Sequence, residues 1–433
     1  MVWFLFSYLK TALVQREDIM FRMTAFRSEQ DMNRSIVECD MKNAMENDLY
    51  TEILPGIFCV SLTDTTIEQG VSCIKIYIIK GKPSVHEGRS LMIDTGFRQE
   101  DCHRKLQAAL AALDIPADQL DIFLTHRHHD HSGLAGSFAR EGAHIFMNPA
   151  EERHPYDCLA YRVSEESLAA QKKVLRSTGI TPERTPYAWE AFMKVSERVQ
   201  HHGEWVLAIL GFPYTALHSG DVFDYGDYHF TAYPLKGHTY GQMGLMDHEK
   251  KILFVADQLI HGVSPIVATT YADEHLLEGM FASLRDIKEH YGDWTIIPAH
   301  GGIIKDVAQD VDSIVYSYLS KSTSALDIMK GNAPEKSAAS AHGLPDAVKA
   351  PAVEAQRSIG SGEWTVHDIA KQLYHMDDDP ADEAAFFTYK MLITKTFSIL
   401  EYLHDIGFVE RAMRDGIYYW RAIRQTVIHS DYY

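Results

Sequence analysis

Residues 125–131 read Thr125-His126-Arg127-His128-His129-Asp130-His131 and follow directly on the apolar residues Ile122, Phe123 and Leu124. Four imidazoles and one carboxylate fall in the six positions 126–131, at the end of what reads as a buried strand. A strand end is where a chain presents several side chains to one rim while the sheet behind them stays rigid.

Outward from that loop, strand and helix patterns alternate. Upstream, 57–60, 73–79 and 91–94 are apolar runs between turn residues, the pattern of successive strands. Segment 104–113 carries Leu106, Ala109, Leu110 and Leu113 at helical spacing; 134–140 reads as a short helix and 143–146 as a strand. The alternation predicts a layered α/β domain. Residues 150–218 break the rhythm with polar, helix-like segments at 164–177 and 182–202, read as a helical insertion in which Trp189, Phe192 and Trp205 pack a small core of their own. Strand patterns resume at 228–232, 243–246, 252–255 and 295–297. A helix follows, with Val307, Val311, Ile314, Val315 and Tyr318 on one stripe.

At 433 residues the chain exceeds the roughly 250–300 at which single cores stop growing, so more than one domain is expected. The division predicted is an N-terminal extension 1–48, an α/β domain 49–330, an Ala-, Pro-, Gly- and Ser-rich linker 331–362 and a C-terminal module 363–433. Within that module 365–375 and 382–404 read as helices, the first with Thr365 as N-cap, and 408–421 as a two-stranded wing.

A net charge of −19, from 60 acidic and 41 basic residues, gives no footprint for a phosphate backbone and disfavours nucleic acid as a partner. Five scattered cysteines without CxxC spacing suit reduced thiols in a cytoplasm. The apolar opening 1–6 lacks a basic leader and is soon interrupted by Lys10, so neither a signal segment nor a membrane span is expected there.

Other candidate ligands also follow apolar runs: His238 in Lys236-Gly237-His238-Thr239, Asp257 after 252–255, and His300 in Pro298-Ala299-His300-Gly301. A sheet would bring them to the rim that holds His126, His128, Asp130 and His131. Imidazole nitrogens and carboxylate oxygens suit a borderline cation such as Zn²⁺. Seven ligands exceed one tetrahedral ion and match two ions sharing a carboxylate, about 3.5–4 Å apart.

The ordered set Asp94-Thr95-Gly96, His126-x-His128-x-Asp130-His131, Gly237-His238-Thr239, Asp257 and Pro298-x-His300-Gly301 resembles the five motifs of the metallo-β-lactamase superfamily, over roughly residues 50–330. The resemblance implies an αββα sandwich with a metal site at one edge. It implies His126, His128 and His238 on a first metal, Asp130, His131 and His300 on a second, Asp257 bridging them, and Asp94 orienting ligands from behind. The cofactor implied is two divalent metal ions, Zn²⁺ with Fe or Mn as alternatives.

The activity implied is hydrolysis of a small carbonyl ester, thioester or lactone by a hydroxide shared between the ions. Asp130 would accept the proton and Tyr240 would donate to the oxyanion. Asp257 points to the glyoxalase II, lactonase and nuclease branches, because true β-lactamases usually lack a carboxylate there. The sequence departs from the family pattern at Ala256, where Gly is common, and at Gln242, where many relatives carry His.

The C-terminal module resembles a winged-helix extension found, among others, in a lactamase-like endoribonuclease branch. A metal-dependent endoribonuclease or phosphodiesterase is therefore the second reading, and a non-catalytic binding module on the same fold the third. The partners expected are a small-molecule substrate and a second copy of the chain, with the C-terminal module serving dimerisation or docking against the catalytic domain. His129 reads as a loop residue beside the site, and His201-His202 as solvated surface.

Overall fold

The apolar runs fold into strands buried on both faces, which is why they read as near-continuous hydrophobic segments. The computed structural model of the chain describes residues 49–64, 73–152, 165–201, 211–267, 269–331 and 362–423. The predicted N-terminal extension, all of the predicted linker except residues 331 and 362, and Trp205 and His202 lie outside these residues.

One sheet has seven strands in sequence order: β1 (Thr51–Leu54), β2 (Ile57–Thr63), β3 (Cys73–Ile79), β4 (Ser90–Ile93), β5 (Leu120–Phe123), β6 (His144–Met147) and β7 (Thr215–Ala216). It is antiparallel from β1 to β4 and parallel from β4 to β7. The second sheet adds β8 (Val222–Tyr225), β9 (Tyr228–Pro234), β10 (Met243–Asp247), β11 (Ile252–Ala256) and β12 (Thr295–Pro298), in the order β12-β11-β10-β9-β8.

Alternation along the strands assigns each side chain to a layer. Tyr77, Ile79, Leu91, Ile93 and Phe123 face Phe230, Leu245, Ile252, Phe254 and Ile297 between the sheets. The intervening Ile76, Ile78, Met92 and Ile122 turn outward onto α1 (Glu100–Ala112), with α2 (His129–Ser132) and α3 (Ala135–Arg140) following β5. The outer face of the second sheet, Leu253, Val255 and Ile296, is covered by helices that follow the insertion pair α4 (Glu165–Ser177) and α5 (Pro186–His201). These are α6 (Leu276–His290) and α7 (Val307–Met329). The result is the αββα sandwich expected.

Beyond them lie α8 (Val366–Tyr374), α9 (Glu383–Asp405) and the hairpin β13 (Val409–Arg414) with β14 (Ile417–Ala422). Thr365 caps α8 in a reciprocal capping box with Asp368, and Asp382 caps α9. From Ile393 to Leu403 α9 is buried almost all round, polar Lys395, Thr396, Ser398 and Glu401 included.

One sequence expectation needs correction, and one helix went unforeseen. Trp189 and Phe192 build no separate core of the insertion; they pack in the cluster shared by α6, α7, α8 and α9. The amphipathic helix α6, with Leu276, Leu277, Met280, Phe281, Leu284 and Ile287 buried, is absent from the sequence reading altogether. Gly279 inside it weakens the helical signal, and a Cβ there would meet the Lys236 side chain at 2.9 Å. No helix among the described residues is long and apolar enough to cross a membrane.

Candidate metal centre

Strand direction gathers the candidate ligands. β4 and β5 are parallel, so Asp94 and His126 leave the first sheet at the same end. In the second sheet β9 and β11 are each antiparallel to β10, and β12 is parallel to β11, so His238, Asp257 and His300 leave at one end too. The Met243 amide donates to the Thr125 carbonyl at 2.8 Å and the Lys75 amide to the Ala299 carbonyl at 2.9 Å, which join the two rims. Three groups of candidate ligands form there: His126, His128 and His238; His126, His131 and Asp257; and Asp130, His131 and His300.

In the first group, the tautomers follow from the hydrogen bonds. The Thr125 hydroxyl donates to Asp94, 2.9 Å from Oδ2 and 3.0 Å from Oδ1, and therefore accepts from His126 Nδ1 at 3.0 Å. This leaves His126 Nε2 as a bare lone pair. His238 Nδ1 donates to the Ile266 carbonyl at 2.7 Å, which leaves its Nε2 bare as well. Both lone pairs aim at Nδ1 of His128, from 2.9 and 2.8 Å. A ring nitrogen carries one proton at most, so hydrogen bonding satisfies only one of them. A shared cation satisfies all three.

The other two groups are built the same way. His131 Nδ1 donates to Asp94 Oδ2 at 2.7 Å and His300 Nδ1 to the Cys73 carbonyl at 2.7 Å. Their Nε2 atoms, and Asp257 Oδ1, are buried without a hydrogen-bond partner. Asp257 Oδ1 lies 3.4 Å from His131 Nε2 and 3.3 Å from His300 Nε2, while its Oδ2 lies 3.3 Å from His238 Nε2. Asp130 Oδ2 lies 3.4 Å from His300 Nε2. Ligands at about 2.0–2.1 Å from a tetrahedral ion stand about 3.3–3.4 Å apart, so the donor set fits divalent metal with one carboxylate oxygen turned to each group.

The electrostatics agree. Burial, reinforced by the neighbouring imidazoles, holds His126 and His128 well below the usual histidine range, and burial also lowers His238, so these rings stay neutral. Burial pushes the carboxyls of Asp130 and Asp257 up, but His131 at the first, and His300 with His131 at the second, outweigh it and keep both ionised. Burial disfavours charge on His131 and His300, yet Asp257 and Asp130 raise the first strongly and the second to about 10. The carboxylates demand positive charge at this spot, whether a proton or a metal cation supplies it.

His129 joins none of these groups among the described residues; its ring lies 6.0 Å from that of Phe97. Tyr240 sits on the rim, 37% exposed, with Lys236 Nζ 4.5 Å from its ring centre. Ala256 adopts φ 46, a left-handed conformation that explains why Gly is usual before the bridging carboxylate. Gln242, buried, donates to Gln258 Oε1 at 3.0 Å and so ties its strand to the residue after Asp257.

Sequence reasoning missed Glu151. This buried carboxylate accepts from the Thr239 hydroxyl at 2.6 Å, the Gly241 amide at 2.8 Å and the Arg127 amide at 3.0 Å. It locks the loop after His126 to the loop after His238. The available signal was its place just past an apolar strand, β6, as with the ligands. Gly237, at φ 149, is required because a Cβ there would meet the Met280 backbone at 2.5 Å.

A family model described as the metallo-beta-lactamase superfamily matches residues 75–300. Among solved structures the chain is similar to a metallo-beta-lactamase family protein from Thermus thermophilus, at 20% identity over 86% of this chain and 100% of that one, with a TM-score of 0.62. It is also similar to a beta-lactamase domain protein from Burkholderia ambifaria, at 14% identity over 88% and 97% of the two chains, with a TM-score of 0.63. These identities speak to the fold alone. No curated protein matches the sequence. With the five motifs meeting at one rim of an αββα sandwich, the chain belongs to the metallo-beta-lactamase superfamily, whose members are mostly hydrolases and typically hold two divalent metal ions.

Proposed function

We propose that the chain is a dinuclear metal-dependent hydrolase acting on a small carbonyl ester, thioester or lactone. The observation that carries this reading is Asp257, whose two oxygens face the two histidine groups separately, at 3.3 Å from His238 and 3.3 Å from His300. His126, His128 and His238 would hold one ion and Asp130, His131 and His300 the other. When bound, such ions lower the pKa of water toward neutrality and polarise a carbonyl oxygen.

The chain's own residues do the rest. Asp94, through His131 and through Thr125, keeps two rings in the tautomer that bares Nε2. Asp130, held ionised, takes the proton of the attacking water at Oδ1, the oxygen 3.9 Å from His129 Nδ1. Tyr240 donates its hydroxyl to the oxygen on which charge develops.

Support for a small substrate over RNA comes from the C-terminal elements. From Ile393 to Leu403 α9 is buried almost all round, which leaves that stretch no face to lay in a groove. The hairpin arginines are engaged by carboxylates: Arg411 by Asp273 and Glu401, Arg414 by Glu363, Arg421 by Glu410. The deciding experiment assays the purified chain on thioesters, lactones, phosphodiesters and single-stranded RNA, with metal content measured on the same preparation. Two equivalents of metal and turnover confined to carbonyl substrates are expected; RNA cleavage without ester turnover, or a metal-free active preparation, overturns the reading.

A further inference from the structure

Residues 265–267 and 269 have no regular structure, yet their backbone is held from two sides. The Tyr318 hydroxyl, from α7, donates to the Pro265 carbonyl at 2.6 Å and accepts from the Val267 amide at 3.0 Å. The Ser398 hydroxyl, from α9, contacts the Val267 carbonyl and accepts from the Thr269 amide at 3.0 Å. It also lies 2.8 Å from Thr269 Oγ1. The Ile266 carbonyl belongs to the peptide unit whose Val267 amide Tyr318 holds, one unit before the Val267 carbonyl that Ser398 contacts, and it accepts from His238 Nδ1 at 2.7 Å.

A serine in the middle of a helix competes with the helix for hydrogen bonds and packs poorly in an apolar cluster. Ser398 is nevertheless fully buried, among Phe397, Ile399 and Leu400. The Thr394 carbonyl of its own helix, at 3.2 Å, and its partners across the interface account for that placement.

We propose that Ser398 and Tyr318 are positioning residues of the metal centre: they fix the Ile266 carbonyl, which fixes the tautomer and orientation of His238. The C-terminal helix is then part of the catalytic apparatus, 160 positions along the chain from the ligand it serves. The inference rests on His238 being a metal ligand. The Tyr318 phenol and the Ser398 hydroxyl make the two grips, so each is removable by losing one oxygen without emptying the core.

The test uses the full chain as wild type, Ser398→Ala, Ser398→Thr and Tyr318→Phe. Nitrogen-15 NMR of the metal-free protein, with the His238 signal assigned against His238→Gln, reads the tautomer directly. Zn²⁺ affinity is read by chelator competition. Wild type and Ser398→Thr are expected to hold His238 as the Nδ1–H form. Ser398→Ala and Tyr318→Phe are expected to admit the Nε2–H form and to weaken Zn²⁺ binding at one of two sites about tenfold, as for other groups behind a ligand.

Tyr389→Phe, which removes a 3.1 Å bond to the Asp378 carbonyl elsewhere in the C-terminal module, controls for general loosening. An unchanged tautomer and affinity in both variants overturns the inference, as does an equal effect in Tyr389→Phe. A shifted tautomer in a chain whose wild type takes up none of Zn²⁺, Fe²⁺ or Mn²⁺ sustains the positioning role and overturns the metal reading, which separates the two failures. Should Ser398→Ala fail to fold, Tyr318→Phe alone carries the test.

Discussion

Asp94 Oδ2 accepts a hydrogen bond from His131 Nδ1 at 2.7 Å, and the same carboxylate reaches His126 through the Thr125 hydroxyl. One buried group therefore sets two imidazoles, one proposed for each metal ion. Asp94→Ala is expected to lower metal affinity about 10- to 100-fold while leaving the seven ligands in the chain. Metal content by mass spectrometry at fixed free Zn²⁺ checks this, and wild-type occupancy would remove the orienting role.

Single ligand replacements are expected to divide the site. His128→Ala touches one group and should cost one metal equivalent, whereas Asp257→Ala touches both and should cost two. Both should abolish ester turnover. Full metal content with normal turnover in either variant would end the two-metal proposal.

Glu151→Ala strips an acceptor from two amides and a hydroxyl at the joint between the ligand loops. Hydrogen bonds to a charged group are worth about 1.5–3 kcal/mol, and about 3 kcal/mol of stability should be lost. Urea denaturation measures it, and a loss within 0.5 kcal/mol (about the scatter for surface sites) would place Glu151 outside the joint.

Ala256→Gly should act in the opposite direction. The left-handed backbone at φ 46 costs an alanine about 1–2 kcal/mol that glycine does not incur. The entropy glycine loses on folding offsets part of that, so a net gain of about 0.5–1 kcal/mol is expected in the same denaturation experiment. A lower midpoint would contradict the strain.

At the far end of the sandwich, burial pushes the Asp121 carboxyl up, but the Arg89 guanidinium, with Nε 2.9 Å from Oδ1, and the Tyr225 hydroxyl outweigh it and depress its pKa. A depressed carboxyl stabilises fully above the unfolded value of about 3.9 and loses that contribution as pH falls through the folded value. The stability difference between wild type and Asp121→Asn should accordingly be greatest near neutrality and shrink below about pH 4. Denaturation midpoints from acid to neutral pH check it, and a gap that widens in acid would reverse the sign.

Much of the fold, and the gathering of the candidate ligands at one rim, was legible because both depend on local pattern. Ile252, Leu253, Phe254 and Val255 announce a strand buried on both faces, and Asp257 just past it announces a rim position. The short helix α2 was not legible within the His-rich loop, and α6 was obscured by Gly279. The shared packing of Trp189 and Phe192 was also hidden, since an apolar side chain carries no record of which neighbour will cover it.

Residue type and the period of two are local properties, so the order of residues already states which side chains can ligate and that strand ends carry them. How those side chains are held depends on segments that meet only in the folded chain. His300 is fixed by the carbonyl of Cys73, 227 positions away, and His238 by the carbonyl of Ile266. A backbone carbonyl is the same in every residue, so its selection as a partner is written nowhere in the sequence and arises from the close approach of distant segments.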